Sequence, residues 1–273
     1  MKSPDNIVMV HGVPRSGTSW LGQILNSSPE VAFGFQPLFS YAFKDRIGPS
    51  STAEEISLFL DELYASDDDF IHQRDQVERG AYPLFAKSPE PTHMVLKQVR
   101  YHHVLENMII RLMDRVKVVG IARHPCAVLN SWIRAPREFH PEWDIHAEWR
   151  EAPSKNLGRP EEFYGFDKWR ETTELFQRLS LDYPDNFILV RYSALNSDTE
   201  REVGRIFSFC GLDLGEQTTT FLEESRSRTH PHVNAVYRNR NDNEKWRREL
   251  DPAIAEAVIA EVTGTRLETF LEG

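Results

Sequence analysis

Short apolar segments alternate with amphipathic segments along this chain, and this alternation is the feature that most limits its fold. The apolar segments cover residues 7–10, 31–35, 94–99, 116–122 and 187–192. Helical periodicity is found in residues 20–25, 56–63, 104–112, 166–179, 203–209 and 254–262. Strands that alternate with helices are typical of βαβ units. We therefore expect one α/β domain over residues 1–273, a parallel β-sheet flanked by helices, with an irregular insertion or lid at about residues 134–165.

Composition and charge limit the partners that such a domain can have. The chain has 273 residues, of which 40% are hydrophobic, and a formal net charge of −10. This charge argues against general binding of nucleic acid or anionic membranes, so a cationic site must be local. The sequence shows no apolar stretch of membrane-spanning length and no signal-peptide pattern, and Cys126 and Cys210 fit neither a disulfide framework nor a metal site. We therefore expect a cytoplasmic protein, and the sequence leaves its oligomeric state open.

A loop suited to binding an anion follows the first apolar segment, in the stretch HGVPRSGTSW. Gly12, Gly17 and Ser19 have the spacing of a nucleotide-binding phosphate loop, but Thr18 occupies the position of its lysine. A cation is present instead at Arg15, within the loop. Glycines let backbone amides approach an anion, and the helix that follows adds further donors. The missing lysine, and the lack of an evident magnesium-holding acid, argue against ATP hydrolysis.

Two stretches of this sequence resemble the nucleotide site of sulfotransferases, which use 3′-phosphoadenosine-5′-phosphosulfate (PAPS) as sulfuryl donor. The loop resembles the segment that holds the 5′-phosphosulfate, at Pro14, Arg15, Ser16, Gly17, Thr18, Ser19 and Trp20. In the second stretch, GIARHPCAVLNSW, Arg123 ends an apolar strand and Ser131 lies on the helix that follows. The resemblance implies that Arg123 and Ser131 bind the 3′-phosphate, as a charged fork and a hydroxyl on different oxygens.

Two further stretches match the family more loosely. FILVRYSAL resembles the strand that ends in an Arg-Tyr-Glu-Asp-Leu pattern, which would bring Tyr192 near the adenine. The segment from residue 236 to 250 resembles the part that closes over the 3′-phosphate end, with the candidates Arg238, Arg240, Lys245 and Trp246. Taken together, the resemblance implies a P-loop NTPase-like sulfotransferase fold that uses PAPS as co-substrate and no metal.

The implied reaction is transfer of the sulfuryl group to a hydroxyl of a small molecule or a carbohydrate. Lys97 matches a lysine that cytosolic relatives place at the end of the third strand, and Arg15 belongs to the loop. Both would stabilise charge on the bridging oxygen as the nucleotide leaves. Two other functions stay open at this point. One is a P-loop nucleotide or nucleoside kinase, which Thr18 disfavours, and the other is a nucleotide-binding protein that has lost catalysis.

The general base is the missing part of this pattern. The two positions where sulfotransferases carry a catalytic glutamate or histidine hold Gln36 and Val99 in this chain. His102 and His103 follow Lys97 closely and are the predicted substitutes, because a histidine near neutrality can accept a proton from a hydroxyl. If neither histidine serves, the base is expected in the insertion, where the sequence offers His140, Glu142 and His146.

Overall fold

A five-stranded parallel sheet forms the centre of the molecule, in the strand order β2-β3-β1-β4-β5. The computed structural model describes residues 2–231, 235–237 and 244–272. The strands are β1 (Asn6–His11), β2 (Val31–Phe35), β3 (His93–Gln98), β4 (Val116–Ala122) and β5 (Phe187–Arg191). Each agrees with an apolar segment of the sequence to within one residue at either end, which confirms the predicted parallel sheet.

Helices cover both faces of this sheet. In chain order they are α1 (Thr18–Asn26), α2 (Ala53–Tyr64), α3 (Asp69–His72), α4 (Arg74–Glu78), α5 (Leu105–Leu112), α6 (Pro125–Ile133), α7 (Ile145–Glu148), α8 (Pro153–Asn156), α9 (Phe166–Asp182), α10 (Tyr192–Ser197), α11 (Thr199–Cys210), α12 (Glu216–Ser227), α13 (Trp246–Glu249) and α14 (Pro252–Val262). Short 3₁₀ turns are present at Pro37–Phe39, His102–Val104, Met113–Arg115 and Glu268–Phe270. Among these described helices, none is long and apolar enough to cross a membrane.

The central strand shows why the sequence forms this two-sided core. Val8 and Val10 of β1 pack into one apolar cluster with residues of α1 and α11, whereas Ile7 and Met9 pack into another with residues of α2, α5 and α9. Side chains alternate across a strand, so a strand that is buried on both faces reads as an uninterrupted apolar run. The run in β1 therefore specifies helices above and below the sheet.

Strand order brings the predicted functional segments to one edge. β1 lies between β3 and β4, and Val10 pairs with Lys97 on one side and with Val119 on the other. Because the strands are parallel, their carboxyl ends meet at the same edge of the sheet, where ligands bind in such folds. The loop after β1 consequently lies between the end of β3 and Arg123, which follows β4.

The segment that the sequence predicts to be an insertion, residues 134–165, packs against α6, α9 and α14 through a third apolar cluster that includes Trp132, Phe139 and Phe163. It contains the short helices α7 and α8. A buried ion pair ties it to the sheet, because Nε of Arg100, just after β3, donates to Oε2 of Glu162 over 2.9 Å. The insertion therefore forms one wall beside the carboxyl edge of the sheet.

Candidate active site

A cavity of about 520 Å³ lies at the carboxyl edge of the sheet. The loop after β1, the end of β3, the start of α10 and the insertion all contribute to its walls. Of the residues predicted from the sequence, those that line it are Pro14, Arg15, Gly17, Thr18, Ser19, Trp20, Lys97, Arg123, Ser131 and Tyr192. The fold thus brings together residues that are far apart in the sequence, from Pro14 to Tyr192.

The loop after β1 adopts a conformation that depends on glycine and on close packing. Gly17 has a φ of 97°, and a Cβ at this position would lie 2.5 Å from Cδ2 of Tyr192. Arg15 also has a positive φ, of 74°, which non-glycine residues rarely adopt. Gly17 directly precedes α1, whose first-turn amides have no acceptor within the helix. The loop therefore presents amide donors and a cation to the cavity.

Arg15, Ser131 and Arg123 form one contact network in this cavity. Nε of Arg15 donates to Oγ of Ser131 over 3.0 Å, and an Nη of Arg123 donates to the backbone oxygen of Arg15 over 3.2 Å. The guanidinium of Arg123 also lies 4.6 Å from the centre of the Tyr192 ring. The two predicted phosphate-binding segments therefore touch each other, and Tyr192 supports both.

The donors of this network fit an anion. Nε of Arg123 is buried and has no hydrogen-bond partner among the described residues, and no carboxylate in that part of the chain lies within 4.0 Å of Arg123. Burial lowers the pKa of Arg123, because desolvation disfavours its charged form. A bound anion would offset this desolvation cost, because it would supply the counter-ion that the buried guanidinium of Arg123 lacks among the described residues.

Lys97 is a second cation in the same cavity. It is buried, with 3% of its surface exposed, and its Nζ lies 4.4 Å from the centre of the Phe35 ring. Burial lowers the pKa of Lys97 to about 7, with a further contribution from Arg100, whereas Glu138 acts in the opposite direction. Near neutral pH, a charged group that binds beside Lys97 would therefore decide whether its amine is protonated.

Arg100 and Gln36 form a fixed wall next to Lys97. Arg100 pairs with Glu162, donates through an Nη to Oε1 of Gln36 over 3.2 Å, and lies 4.0 Å from the ring centre of Phe39. Gln36 has a φ of 43°, and its backbone amide donates to the backbone oxygen of Lys97. The amide side chain of Gln36 thus faces the cavity, but it offers no basic atom for a proton.

The structure does not bring the two predicted bases to this cavity. His102 is 1% exposed, its Nδ1 lies 3.0 Å from Nδ1 of His11, and it packs on Phe163. Burial and His11 hold the pKa of His102 well below its ordinary value. His103 is exposed beside Tyr101. Among the described lining residues none is a histidine, because the chain turns away from the sheet edge after Arg100.

The remaining predicted residues lie apart from the cavity or outside the described residues. Ser16, a residue of the loop, is fully buried, and its Oγ has no hydrogen-bond partner in the described part of the chain. Trp246 stacks on His124 with ring centres 4.5 Å apart, and Lys245 is exposed at the start of α13. Arg238 and Arg240 lie outside the described residues. Of the predicted closing segment, residues 236–250, Val236 is a described residue that lines the cavity, whereas Trp246 is buried beside His124.

The insertion supplies cavity residues that sequence reasoning missed, namely Arg137, Glu138, Lys155 and Tyr164. Glu138 lies seven positions after Ser131, beyond the end of α6. An apolar signal for this location exists in the sequence, because Trp132 and Phe139 flank the turn and pack 5.1 Å apart. The alternatives named earlier, His140, Glu142 and His146, are exposed and do not line the cavity.

Aromatic side chains form another part of the cavity wall. The ring centres of Phe35 and Phe70 are 5.5 Å apart, and those of Phe39 and Phe70 are 6.3 Å apart. Such faces hold apolar rings and sugars alike. For metal ions, no group of three or more His, Cys, Asp or Glu side chains with suitable geometry is found in the residues that the structure describes.

Comparison with known protein sequences supports the predicted relation to sulfotransferases. The model of a family described as "Sulfotransferase family" matches residues 7–216. A Caenorhabditis briggsae protein named as a putative protein-tyrosine sulfotransferase is 24% identical over 221 residues, which is 78% of this chain and 68% of that protein.

The solved structures of two sulfotransferases resemble this fold. Mouse sulfotransferase SULT7A1 in complex with PAP aligns over 99% of this chain and 88% of its own, at 13% identity and a TM-score of 0.57. A sulfotransferase from Alicyclobacillus acidocaldarius aligns over 99% of this chain and 96% of its own, at 15% identity and a TM-score of 0.55. At these identities the likeness is one of fold.

Proposed function

The chain belongs to the sulfotransferase family, and we propose that it transfers the sulfuryl group of PAPS to a hydroxyl acceptor. The observation that carries this proposal is the contact of Arg15 with Ser131 and Arg123 at one cavity. It joins the loop suited to the 5′-phosphosulfate to the pair suited to the 3′-phosphate. The mouse relative whose structure contains PAP, adenosine 3′,5′-bisphosphate, supports the same nucleotide for this chain.

Each end of the nucleotide has its own set of donors. The first-turn amides of α1, the hydroxyls of Thr18 and Ser19, and Arg15 would hold the 5′-phosphosulfate. Arg123 and Ser131 would hold the 3′-phosphate, which the reaction leaves unchanged. Tyr192, which contacts both the loop and Arg123, stays the candidate for the adenine side.

The cations at the cavity account for the stabilisation of the transition state. PAPS supplies the activated sulfuryl group, and negative charge develops on the bridging oxygen as the nucleotide leaves. Arg15 and Lys97 line the cavity on the loop side and are the donors suited to this oxygen. The anion would raise the pKa of Lys97 from about 7 and keep its ammonium protonated. A sulfuryl group carries less charge than a phosphoryl group, so fixed cations can replace the metal of phosphoryl transfer.

The acceptor site lies on the aromatic side of the cavity, at Phe35, Phe39, Phe70 and Tyr164. We propose a hydroxyl of a sugar or of a phenol for this place, since both pack on aromatic faces. The name of the Caenorhabditis briggsae relative supports a tyrosine hydroxyl as one such phenol.

Calorimetry with PAP tests the nucleotide part of the proposal. We expect PAP to bind in the presence of EDTA, and to bind more tightly than ATP with magnesium. Assays with PAPS and hydroxyl acceptors then test transfer itself. Binding of PAP that needs magnesium, or a preference for ATP, would favour the alternative of a nucleotide or nucleoside kinase, which Thr18 argues against. Binding of PAP without any sulfuryl transfer would favour the other alternative, a protein that has lost catalysis.

Replacing each arginine separately tests the assignment of the two phosphate groups. We expect Arg123→Ala to weaken PAP binding about 10- to 100-fold, because it removes a charge-assisted bond worth about 1.5–3 kcal/mol in both ground and transition states. Arg15→Ala should lower kcat more than it weakens PAP binding, because Arg15 acts on the charge that develops during transfer. The comparison requires PAP affinity by calorimetry and kcat with saturating PAPS for each variant. If both variants change only the KM for PAPS, Arg15 has no role specific to the transition state.

A further inference from the structure

We propose that Glu138 is the general base that accepts the proton of the acceptor hydroxyl, an assignment that rests on the sulfotransferase function proposed above. The lining of the cavity contains two carboxylates among the described residues, Asp75 and Glu138. Asp75 is exposed on α4 and accepts a hydrogen bond from Gln76 over 2.8 Å. Glu138 is the one beside the cations, with Oε1 3.9 Å from an Nη of Arg15.

The position of Glu138 is fixed by the fold rather than by the ion pair. Its backbone amide donates to the backbone oxygen of Ala135 over 2.7 Å, and its own carbonyl accepts from Nε1 of Trp132 over 3.3 Å. Phe139, the next residue, packs on Trp132. The turn after α6 is thus held to the same helix that carries Ser131, which fixes the place of Glu138 relative to the proposed nucleotide site.

The second carboxylate oxygen of Glu138 is available for a proton. Oε2 is buried and has no hydrogen-bond partner in the described part of the chain. Glu138 also acts electrostatically on Lys97 and Tyr164, and all three residues line the same cavity. A carboxylate with one oxygen directed toward a cation and the other unpaired can accept a proton without breaking an existing hydrogen bond.

The other titratable groups at the cavity do not fit this role. Gln36 has no basic atom, and Lys97 would be held protonated by the anionic donor. Burial raises the pKa of Tyr164 above its ordinary value, so its phenol stays protonated. Glu138 remains as the group that is both next to the transferred sulfuryl group and able to take a proton.

The step that follows is balanced without any further reactant. The acceptor oxygen forms a bond to sulfur, and the bond from sulfur to the 5′-phosphate oxygen breaks with its electron pair left on that oxygen. The acceptor proton moves to the carboxylate of Glu138. About a quarter of the Glu138 side chain, 27%, is exposed, so the proton can return to solvent after the products leave.

The test compares Glu138→Gln with Glu142→Gln, a matched control from the same insertion whose side chain is 89% exposed. Each protein is assayed with PAPS and three acceptors: the acidic phenol 4-nitrophenol, the weaker acid 2-naphthol and N-acetylglucosamine. PAP affinity is measured by calorimetry. We expect Glu138→Gln to lower kcat for a weakly acidic acceptor by about 10²–10⁴-fold, with PAP affinity unchanged within about twofold. Glu142→Gln should match the wild type.

The acidity of the acceptor separates a base from a merely structural carboxylate. Loss of the base should slow sulfuryl transfer to 4-nitrophenol least, because the proton of this acceptor leaves most readily. It should also remove the fall in transfer rate that the wild type is expected to show on acidification. An equal loss with every acceptor, near-normal kcat, or a change confined to the affinity for PAP would overturn the assignment and make Glu138 a counter-ion of Arg15. Wild-type protein that transfers no sulfuryl group to any of the three acceptors would instead overturn the proposed function, and this assignment with it.

Discussion

At the scale of single residues, the site is built from charges that are costly to bury. Lys97 is 3% exposed, and no carboxylate among the described residues lies within 4.0 Å of its Nζ. The folded protein therefore keeps a destabilising group whose cost is recovered when an anion binds. Groups of this kind mark functional sites, because desolvation shifts their pKa values far from the usual range.

Replacing Lys97 with Met should make the free protein more stable and less active. Its pKa is 10.5 in the unfolded chain and about 7 in the folded protein. Between these values the unfolded chain binds more protons, so the stability of the wild type rises with pH across this window. We expect Lys97→Met to add up to about 4 kcal/mol at pH 7, and progressively less toward pH 10.5. Urea denaturation at pH 6, 7 and 9 measures this.

Lys44→Met is the control for this substitution, because the Lys44 side chain is 47% exposed. It should change the free energy of unfolding by less than about 0.5 kcal/mol. A Lys97→Met protein that is less stable than the wild type at pH 6 and 7 would show that burial of the ammonium costs little. Near-normal kcat in that variant would remove Lys97 from the reaction.

At the scale of elements, the strands were predictable and the short helices were not. The central strands β1, β3 and β4 are almost wholly buried and the edge strands β2 and β5 partly so, and all five are rich enough in apolar residues for the sequence to indicate their limits. The helices α7 and α8 have four residues each, too few to show a period, and α12 buries Phe221 and Leu222 within an otherwise polar sequence. Glu138 could not be assigned from its neighbours, because only the packing of the turn after α6 brings it to Arg15.

The loop after β1 is the element whose conformation the sequence specifies most sharply. Gly17→Ala would keep a φ of 97° that alanine avoids and would place a Cβ 2.5 Å from the Tyr192 ring. We expect a loss of about 1–3 kcal/mol in the free energy of unfolding. PAP affinity should also fall at least about tenfold, since Tyr192 supports Arg123 as well.

Gly48→Ala is the matched control, because a Cβ there meets no atom within 4 Å. Chemical denaturation and calorimetry should show Gly48→Ala close to the wild type in both properties. If Gly17→Ala bound PAP as tightly as the wild type, the loop would not need its left-handed turn, and its assignment to the 5′-phosphosulfate would fail.

At the scale of the whole molecule, an acidic chain brings several of its 32 lysine and arginine side chains together at one cavity. The net charge is −10, yet Arg15, Lys97, Arg100 and Arg123 meet at the carboxyl edge of the sheet. The sequence predicted the fold and the segments that form this edge, because parallel strands bring their carboxyl ends together. It could not predict which side chains after Arg100 turn away, since that depends on the 3₁₀ turn at His102–Val104 and on the packing of His102 against Phe163.

Ligand binding should therefore stabilise the whole domain rather than one loop. The proposed donors follow β1 and β4 or lie on β3, α6 and α10, so unfolding of the sheet would separate them and release the nucleotide.

At a PAP concentration of 100 times Kd, binding adds about 2.7 kcal/mol to the free energy of unfolding. For a domain of this size that corresponds to a rise in Tm of about 5–10 °C. We expect this rise with EDTA present and a smaller one with ATP and magnesium. For Arg123→Ala at the same PAP concentration, a 10- to 100-fold weaker affinity leaves about 0.4–1.4 kcal/mol, so its rise should be at most about half that of the wild type. A rise that is larger with ATP and magnesium, or that Arg123→Ala retains in full, would show that the cations at the sheet edge do not form a PAP site.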